Sequence, residues 1–307
     1  MCLLHSPEIQ RIGDQMRGRM SHDSFIGILD AFDPNPPVIT PNRWSEPLML
    51  RDLRKYYRAM KQKGSEINLN TNGLLLTQDL AEFFVDIRLD SISFSIDATC
   101  KETLQKLRGT DALERLHATV HMMLEVRGTG SLPRIGTSMT LGKENEHEKD
   151  AFVANWLHHV DVVRINRMYD ENFRLHRQQR VPERIPCEFL YTTMVVDFKG
   201  DVFLCCLDVY GKEKIGNVFE EGVSAIWNGE RFTQIRSYHE NGQYDKIPLC
   251  KNCETWSNAI STETQNGEIL IRETPIMTFY NRLDRLNNWK DNRSTKALYK
   301  PEYEQIQ

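Results

Sequence analysis

The stretch Ser91-Ile92-Ser93-Phe94-Ser95-Ile96-Asp97 alternates serines with apolar residues before it ends in an aspartate. This alternation predicts a short β-strand over residues 91–96. Strand candidates of similar length lie on both sides of it. They are residues 37–40, 66–70, 135–141 and 160–165. The first half of the chain is therefore predicted to contain a series of short strands.

Segments with the apolar spacing of amphipathic helices separate these strand candidates. The predicted apolar stripes include Leu53, Tyr56, Tyr57 and Met60, residues 78–85, Leu113, Leu116, Val120, Met123 and Leu124, and Phe152, Val153, Trp156 and Leu157. Alternating strands and helices with short loops predict a parallel sheet with crossover helices. A doubly wound open sheet and a full or partial (β/α) barrel both fit this pattern. In either form, ligands bind at the carboxyl ends of the strands.

The composition is that of an ordinary globular protein. The 307 residues are 40% hydrophobic and 27% charged, and they allow one large domain plus a small one. The net charge of -4 gives no reason to expect nucleic acid or an anionic membrane as a partner. No apolar run approaches the roughly 20 residues needed to cross a bilayer. The first residues do not resemble a secretory signal, so a reducing cytoplasm is the expected location.

Five of the seven cysteines fall between residues 187 and 253, which in a reducing compartment indicates a metal site before disulfides. A hairpin predicted around Gly200 would bring Cys187 and Cys205 together. Cys205 and Cys206 are adjacent on a strand, so only one of them faces a given site. Cys250 and Cys253 form a compact pair of thiols. By spacing alone, zinc and an iron–sulfur cluster fit equally well.

The predicted domain organisation has four parts. Residues 1–170 form the α/β core, residues 171–186 a polar linker and residues 187–256 the small cysteine domain. Residues 257–307 form a tail with one strand candidate at 268–272 and one helix candidate at 277–289.

Residues 187–256 resemble the SPASM domain of radical S-adenosylmethionine (radical SAM) enzymes. The resemblance is carried by Cys187, residues 200–205, Asp208, residues 215–218, Ile226, Trp227, Arg236 and residues 248–253. The resemblance implies a small α+β domain in which Cys187, Cys205, Cys250 and Cys253 bind one auxiliary 4Fe–4S cluster. Larger versions of the domain have further cysteines, and none follows Cys253 here.

The first half is similar to the radical SAM core, which implies a partial (β/α) barrel. The matching segments are residues 44–48, residues 70–73, residues 95–98 and Arg108. In the family, the segment corresponding to 44–48 holds the amino group of S-adenosylmethionine (AdoMet). The segment corresponding to 95–98 meets its ribose and carboxylate. The implied cofactor-binding residues are Ser45, Glu46, Pro47, Asn70, Thr71, Ser95, Asp97 and Arg108.

The sequence departs from the family at its defining motif, which has three cysteines in the order Cys-x-x-x-Cys-x-x-Cys. Cys2 resembles the last of these three, and the other two are absent from the 307 residues. One thiolate cannot hold a cluster that needs three. The expectation is therefore that the given sequence is a truncated, inactive form of a longer enzyme.

The resemblance implies an oxidoreductase or maturase. A reduced 4Fe–4S cluster would cleave AdoMet reductively, and the resulting radical would take a hydrogen atom from a peptide or small-molecule substrate. Electrons would come from a reducing partner such as flavodoxin or ferredoxin. The alternative is a non-catalytic iron–sulfur or zinc-binding protein whose core has lost the radical SAM cluster.

Overall fold

The computed structural model describes residues 18–42, 45–168, 183–208 and 210–292. These residues divide into two compact units. The cysteine unit comprises the described residues of 18–34, 183–260 and 274–276. The sheet unit comprises those of 35–168, 261–273 and 277–292. Cys2 lies outside the described residues, as do Trp44 and most of the predicted linker.

Helices and strands alternate up to residue 167, except that two helices lie between the third and fourth strands. In chain order they are α1 (His22–Asp30), β1 (Val38–Ile39), α2 (Leu53–Gln62), β2 (Glu66–Thr71), α3 (Gln78–Asp86), β3 (Ser91–Ser95), α4 (Lys101–Arg108), α5 (Leu113–Arg127), β4 (Arg134–Leu141), α6 (Lys149–Leu157), β5 (Val162–Arg167), α7 (Phe189–Thr192), β6 (Val195–Val196), β7 (Asp201–Phe203), β8 (Lys214–Asn217), α8 (Val218–Glu221), α9 (Val223–Trp227), α10 (Glu230–Glu240), α11 (Pro248–Lys251), β9 (Thr262–Asn266), β10 (Ile269–Glu273), β11 (Met277–Arg282) and α12 (Leu283–Asn292). None of these helices is long and apolar enough to cross a membrane.

The sheet unit has an eight-stranded sheet in the order β1-β2-β3-β4-β5-β11-β10-β9. The first five strands are parallel, and each pairs with the next one along the chain. A doubly wound sheet reverses its strand order at a switch point, whereas a barrel adds strands in one direction. The unreversed order confirms the partial (β/α) barrel that the resemblance implied.

The two faces of the parallel strands differ in polarity. One face buries the apolar residues Ile67, Leu69, Ile92, Phe94, Ile135, Met139, Val163 and Ile165. The other face carries Asn68, Asn70, Ser93, Ser95, Ser138 and Arg164, which alternate with them along the strands. Strands of parallel sheets are usually apolar on both faces because both are covered. The polar face is therefore a surface suited to a polar ligand.

A buried carboxylate joins several elements of the sheet unit. Asp161, 1% exposed, precedes β5 and accepts hydrogen bonds from the Ile135 amide (2.7 Å) and from Arg285 Nε of α12 (2.9 Å). It also forms an ion pair with Arg127 at the end of α5. Both arginines need this carboxylate, because an unpaired charge in the interior is costly.

The tail differs from the sequence-based prediction. Residues 277–282 form β11 rather than the start of a helix, and the helix begins only at Leu283. Three strands are present where one was expected. β11 pairs antiparallel with β5, whose backbone groups would otherwise form an open sheet edge. This pairing outweighs the local helical pattern. Residues 261–273 and 277–292 of the tail belong to the sheet unit, whereas residues 257–260 and 274–276 belong to the cysteine unit.

The cysteine unit is built on the three-stranded antiparallel sheet β6-β7-β8. The predicted hairpin turn is present, because Gly200 has a φ of +83° and the Gly200 amide donates to the Asp197 carbonyl (3.1 Å). Ile28 and Phe32 pack against the core of this unit. Residues 18–34 were predicted within the α/β core, so the structure groups them differently.

Two polar side chains of the SPASM-like pattern hold the loops of the cysteine unit. The Asn217 amide group donates to the Lys199 carbonyl (3.0 Å), and its oxygen caps α8. Arg236 donates to the carbonyls of Leu190 and Trp227, at 2.9 Å each. These residues therefore connect α7, the hairpin and α9 around the core.

Replacing Asp161 by alanine should destabilise the sheet unit strongly. The change leaves Arg127 buried without its carboxylate, and the loss of one partner of a buried pair costs about 3–5 kcal/mol. Urea unfolding followed by circular dichroism measures the effect. The matched control is Asp79→Ala, which removes the exposed partner of Arg54 and should change the unfolding midpoint little. Equal effects of the two changes would contradict the structural role of Asp161.

Candidate functional site

Four thiols line one cavity in the cysteine unit. Cys187 precedes α7, Cys205 follows β7, and Cys250 and Cys253 lie in and just after α11. The predicted approach of the four cysteines is therefore present. The rest of the wall is mostly apolar, and its polar members are Arg184, His239 and Thr255.

The structure distinguishes Cys205 from its neighbour. Cys205 lines the cavity and its Sγ accepts a hydrogen bond from the Leu207 amide (3.4 Å). Cys206 is exposed. Cys253 Sγ accepts a similar bond from the Thr255 amide (3.4 Å). Backbone amides that donate to sulfur favour the thiolate, which is the form that binds metal.

Without a bound cation, the cavity favours neutral thiols. Burial raises the pKa of Cys187 and of Cys250 to about 12. The hydrogen bond with Cys206, together with burial, raises the pKa of Cys205 well above its usual value. Thiolate ligation must therefore release protons from this cavity.

The four thiols line a cavity and do not converge on one coordination point. Across the described ranges, no three His, Cys, Asp or Glu side chains are placed to hold one metal ion. Each thiolate of a 4Fe–4S cluster binds a different iron, so its four ligands need not converge. The donor set of four cysteines in an apolar wall fits such a cluster.

A second group of polar residues lies at the carboxyl ends of the parallel strands. Glu46 accepts hydrogen bonds from Thr71 Oγ1 (2.6 Å) and the Asn72 amide (2.8 Å) at the end of β2. It also caps the short helical turn Pro47–Met49 through the Leu48 amide (3.2 Å). The loop after β1 is thus attached to the end of β2. Ser45, next to Glu46, is exposed.

Asp97 occupies the equivalent position after β3. Its φ is +67°, and the residue is 1% exposed. One carboxylate oxygen accepts from the Thr140 amide (2.6 Å) and the other from Arg108 Nε (2.7 Å). The Asp97 carbonyl accepts from Asn145 Nδ2 (2.8 Å). Asp97 therefore connects the ends of β3 and β4 and fixes the guanidinium of Arg108.

The polar face of the sheet contains an arginine that the sequence analysis missed. Arg164 Nη2 donates to Asn70 Oδ1 (3.1 Å), and Arg164 Nε has no hydrogen-bond partner among the described residues. Burial lowers the pKa of Arg164, and Asp97 partly opposes that shift. Ser95 and Ser138 lie beside each other on the same face (3.5 Å between hydroxyls). The sequence signal that could have revealed this position is alternation. Arg164 lies between the buried Val163 and Ile165, which places it on the opposite, polar face of the strand.

Two family models match segments of the chain. Residues 44–154 match the radical SAM superfamily, and residues 187–254 match SPASM, described as an iron–sulfur cluster-binding domain. The chain therefore contains a radical SAM domain and a SPASM domain.

Curated relatives are similar at low identity. The tungsten-containing aldehyde ferredoxin oxidoreductase cofactor-modifying protein of Pyrococcus furiosus is 25% identical over 287 residues, which cover 77% of this chain and 79% of that protein. The S-adenosyl-L-methionine-dependent 2-deoxy-scyllo-inosamine dehydrogenase of Niallia circulans is 31% identical over 115 residues. That alignment covers 38% of this chain and 44% of the dehydrogenase, so the chain matches less than half of its length.

The fold is also similar to that of Streptococcus suis SuiB bound to the precursor peptide SuiA. The TM-score is 0.56 at 15% identity, with 78% of this chain and 65% of SuiB covered. At this identity the similarity shows the fold alone.

Single replacements of the cavity cysteines by serine should strongly impair the iron–sulfur site. Serine is a poor ligand for iron in such a cluster, and three remaining thiolates leave one iron exposed. Anaerobically reconstituted wild-type protein should hold about four irons per chain in this site. Cys205→Ser should lose most of this iron and the brown colour, whereas Cys206→Ser, the matched control, should keep both. Iron analysis and visible absorption measure the difference. Equal loss in both variants would refute the assignment of Cys205.

Proposed function

We propose that this protein is a radical SAM/SPASM enzyme that cleaves AdoMet reductively and abstracts a hydrogen atom from a peptide or small-molecule substrate. The observation that carries the proposal is that Glu46, which follows β1, and Asp97, which follows β3 and pairs with Arg108 of α4, lie at the carboxyl ends of the barrel strands. A second, four-thiol site lies in the same chain. When bound, AdoMet and its cluster supply the radical that takes the hydrogen atom.

Glu46 is proposed to bind the ammonium group of AdoMet. The described residues give its carboxylate three hydrogen-bond donors but no ion-pair partner, so its negative charge remains available to a ligand cation. Thr71 and the Asn72 amide hold the carboxylate in one orientation. Ser45 and Pro47 flank Glu46 and are proposed to shape the same subsite.

Arg108 is proposed to bind the carboxylate of AdoMet. Asp97 was expected to contact the cofactor itself, but its two carboxylate oxygens already accept from Thr140 and Arg108. We therefore assign Asp97 the positioning of Arg108. Ser95 remains a proposed direct contact, because it lies on the polar face beside Asp97.

The polar face also supports a proposal about the substrate. Arg164 and Asn70 lie on that face, and Arg164 keeps an N–H group without an acceptor among the described residues. A polar substrate with an anionic or hydroxyl group fits this surface better than an apolar one. The names of the relatives include both substrate classes, since the N. circulans protein is an inosamine dehydrogenase and SuiB binds a peptide.

The SPASM cluster is proposed to transfer electrons. Four cysteine ligands would leave no open iron for a substrate, which favours electron transfer over substrate binding. A reductant such as flavodoxin or ferredoxin would exchange electrons with the protein. A reducing cytoplasm suits both the thiols and this partner.

Replacing Glu46 by glutamine should weaken AdoMet binding by about tenfold or more. A hydrogen bond between charged groups contributes about 1.5–3 kcal/mol, and glutamine keeps the size of the side chain but not the charge. Equilibrium dialysis of the reconstituted protein with labelled AdoMet measures the change. The control Thr71→Val removes one bond to Glu46 and keeps the carboxylate, so its effect should be smaller. Unchanged affinity in Glu46→Gln would refute the ammonium subsite.

Formation of 5'-deoxyadenosine tests the activity directly. The natural protein should be reconstituted anaerobically and reduced with dithionite. It should then release 5'-deoxyadenosine from AdoMet. Polar candidate substrates that carry deuterium should transfer deuterium to the 5'-deoxyadenosine. A protein that holds both clusters and binds AdoMet but forms no 5'-deoxyadenosine would favour the non-catalytic alternative.

A further inference from the structure

A buried histidine lines the cysteine cavity with one nitrogen unpartnered. His239 lies on α10 and is 1% exposed. Its Nδ1 accepts a hydrogen bond from the Cys187 amide (3.3 Å). Its Nε2 is buried and has no hydrogen-bond partner among the described residues.

The hydrogen bond at Nδ1 determines the tautomer of His239. A neutral imidazole has one donor and one acceptor nitrogen, so an accepting Nδ1 places the proton on Nε2. A buried N–H group without an acceptor is unfavourable, so an acceptor is expected where Nε2 meets the cavity.

Arg184 lines the same cavity. Its two Nη groups donate to the carbonyls of Cys250 (2.7 Å) and Lys251 (3.2 Å), which fixes the guanidinium against the turn that carries the last two cysteines. The guanidinium also stacks 3.9 Å from the ring centre of Tyr244. Its Nε is buried and has no acceptor among the described residues.

We propose that the Nε2–H of His239 and the Nε–H of Arg184 donate hydrogen bonds to sulfur atoms of the SPASM cluster and raise its reduction potential. The proposal rests on the proposed function only in that the cavity must hold an iron–sulfur cluster. Hydrogen bonds to the sulfurs and a nearby positive charge both stabilise the reduced, more negative form of a cluster. In this reduction the cluster gains one electron, and no covalent bond is broken or formed.

The raised potential has a consequence for the direction of electron flow. A cluster that is easier to reduce is a better acceptor for the electron that remains on a substrate radical after hydrogen abstraction. The electron can then leave to an external carrier of the flavodoxin or ferredoxin type. His239 and Arg184 are thus positioning and tuning residues that need not touch the substrate.

The first test is a redox titration of the reconstituted full chain, monitored by electron paramagnetic resonance in a Cys2→Ser background so that the signal comes from the SPASM cluster. In His239→Phe, the ratio of reduced to oxidised cluster at a fixed potential should fall about tenfold, which equals about 59 mV for one electron. His239→Gln keeps a donor and an acceptor and should restore most of the wild-type potential. His117→Phe is the matched control.

His117 is a suitable control because its Nε2 is also buried with no hydrogen-bond partner in the described part of the chain. It lies in the sheet unit, with its ring tilted against Trp156 (4.6 Å between ring centres). His117→Phe should leave the potential unchanged. Arg184→Met should lower the potential, and Arg184→Lys should restore the part that comes from charge alone.

A measurement on the wild-type protein avoids dependence on the folding of the variants. Electron–nuclear double resonance of the reduced cluster, with 15N-labelled histidine and exchange into D2O, should show a coupled histidine nitrogen and an exchangeable proton. Absence of both signals in iron-loaded protein, or an unchanged potential in His239→Phe, would overturn this inference and leave the proposed function intact. A wild-type protein that takes up no iron would overturn both.

Discussion

The hydrogen bonds of the buried Asp97 hold together the carboxyl ends of β3 and β4, where the cofactor is proposed to bind. The rest of the proposed site depends on these bonds. A residue with positive φ is strained unless its surroundings hold it, and here the Thr140 amide, Asn145 and Arg108 all bind Asp97. These bonds align the ends of two neighbouring strands and aim one guanidinium. The mostly apolar crossover packing beneath the sheet supplies stability, and the ion pair of Asp97 with Arg108 helps fix the geometry at the carboxyl ends of β3 and β4.

Much of the sheet unit could be predicted from sequence because its signals are local. Alternation in residues 91–96 and the apolar stripe that includes Tyr57 and Met60 each describe one element and its buried face. The hairpin around Gly200 was also visible, because a glycine between two β-type runs specifies a turn. The four cysteines could be grouped for the same reason, since hairpin and turn bring them within one small unit.

The remaining features depend on tertiary contacts that no local pattern records. Residues 277–282 have apolar residues at spacings that suit a helix, and their pairing with β5 and β10 makes them a strand. To choose between Cys205 and Cys206 as the cluster ligand, one must know which of the two is exposed in the folded protein. From sequence alone, Arg164 cannot be distinguished from an ordinary arginine on a strand. Its importance follows only from the polar face of the sheet on which it lies, next to Asn70. Asp97 matched a ligand-binding pattern, and only the structure shows that its oxygens also accept hydrogen bonds from Thr140 and Arg108.

The pairing of Val162 with Asn281 has a consequence for synthesis on the ribosome. Most of the cysteine unit, residues 183–260, is encoded between these two strands, so β5 emerges long before its antiparallel neighbour exists. The entropic cost of closing so long a loop rises slowly, by about 0.6 kcal/mol per doubling, so the delay is kinetic rather than thermodynamic. The edge of β5 that pairs with β11 in the folded protein therefore stays unpaired while the cysteine-bearing segment is translated.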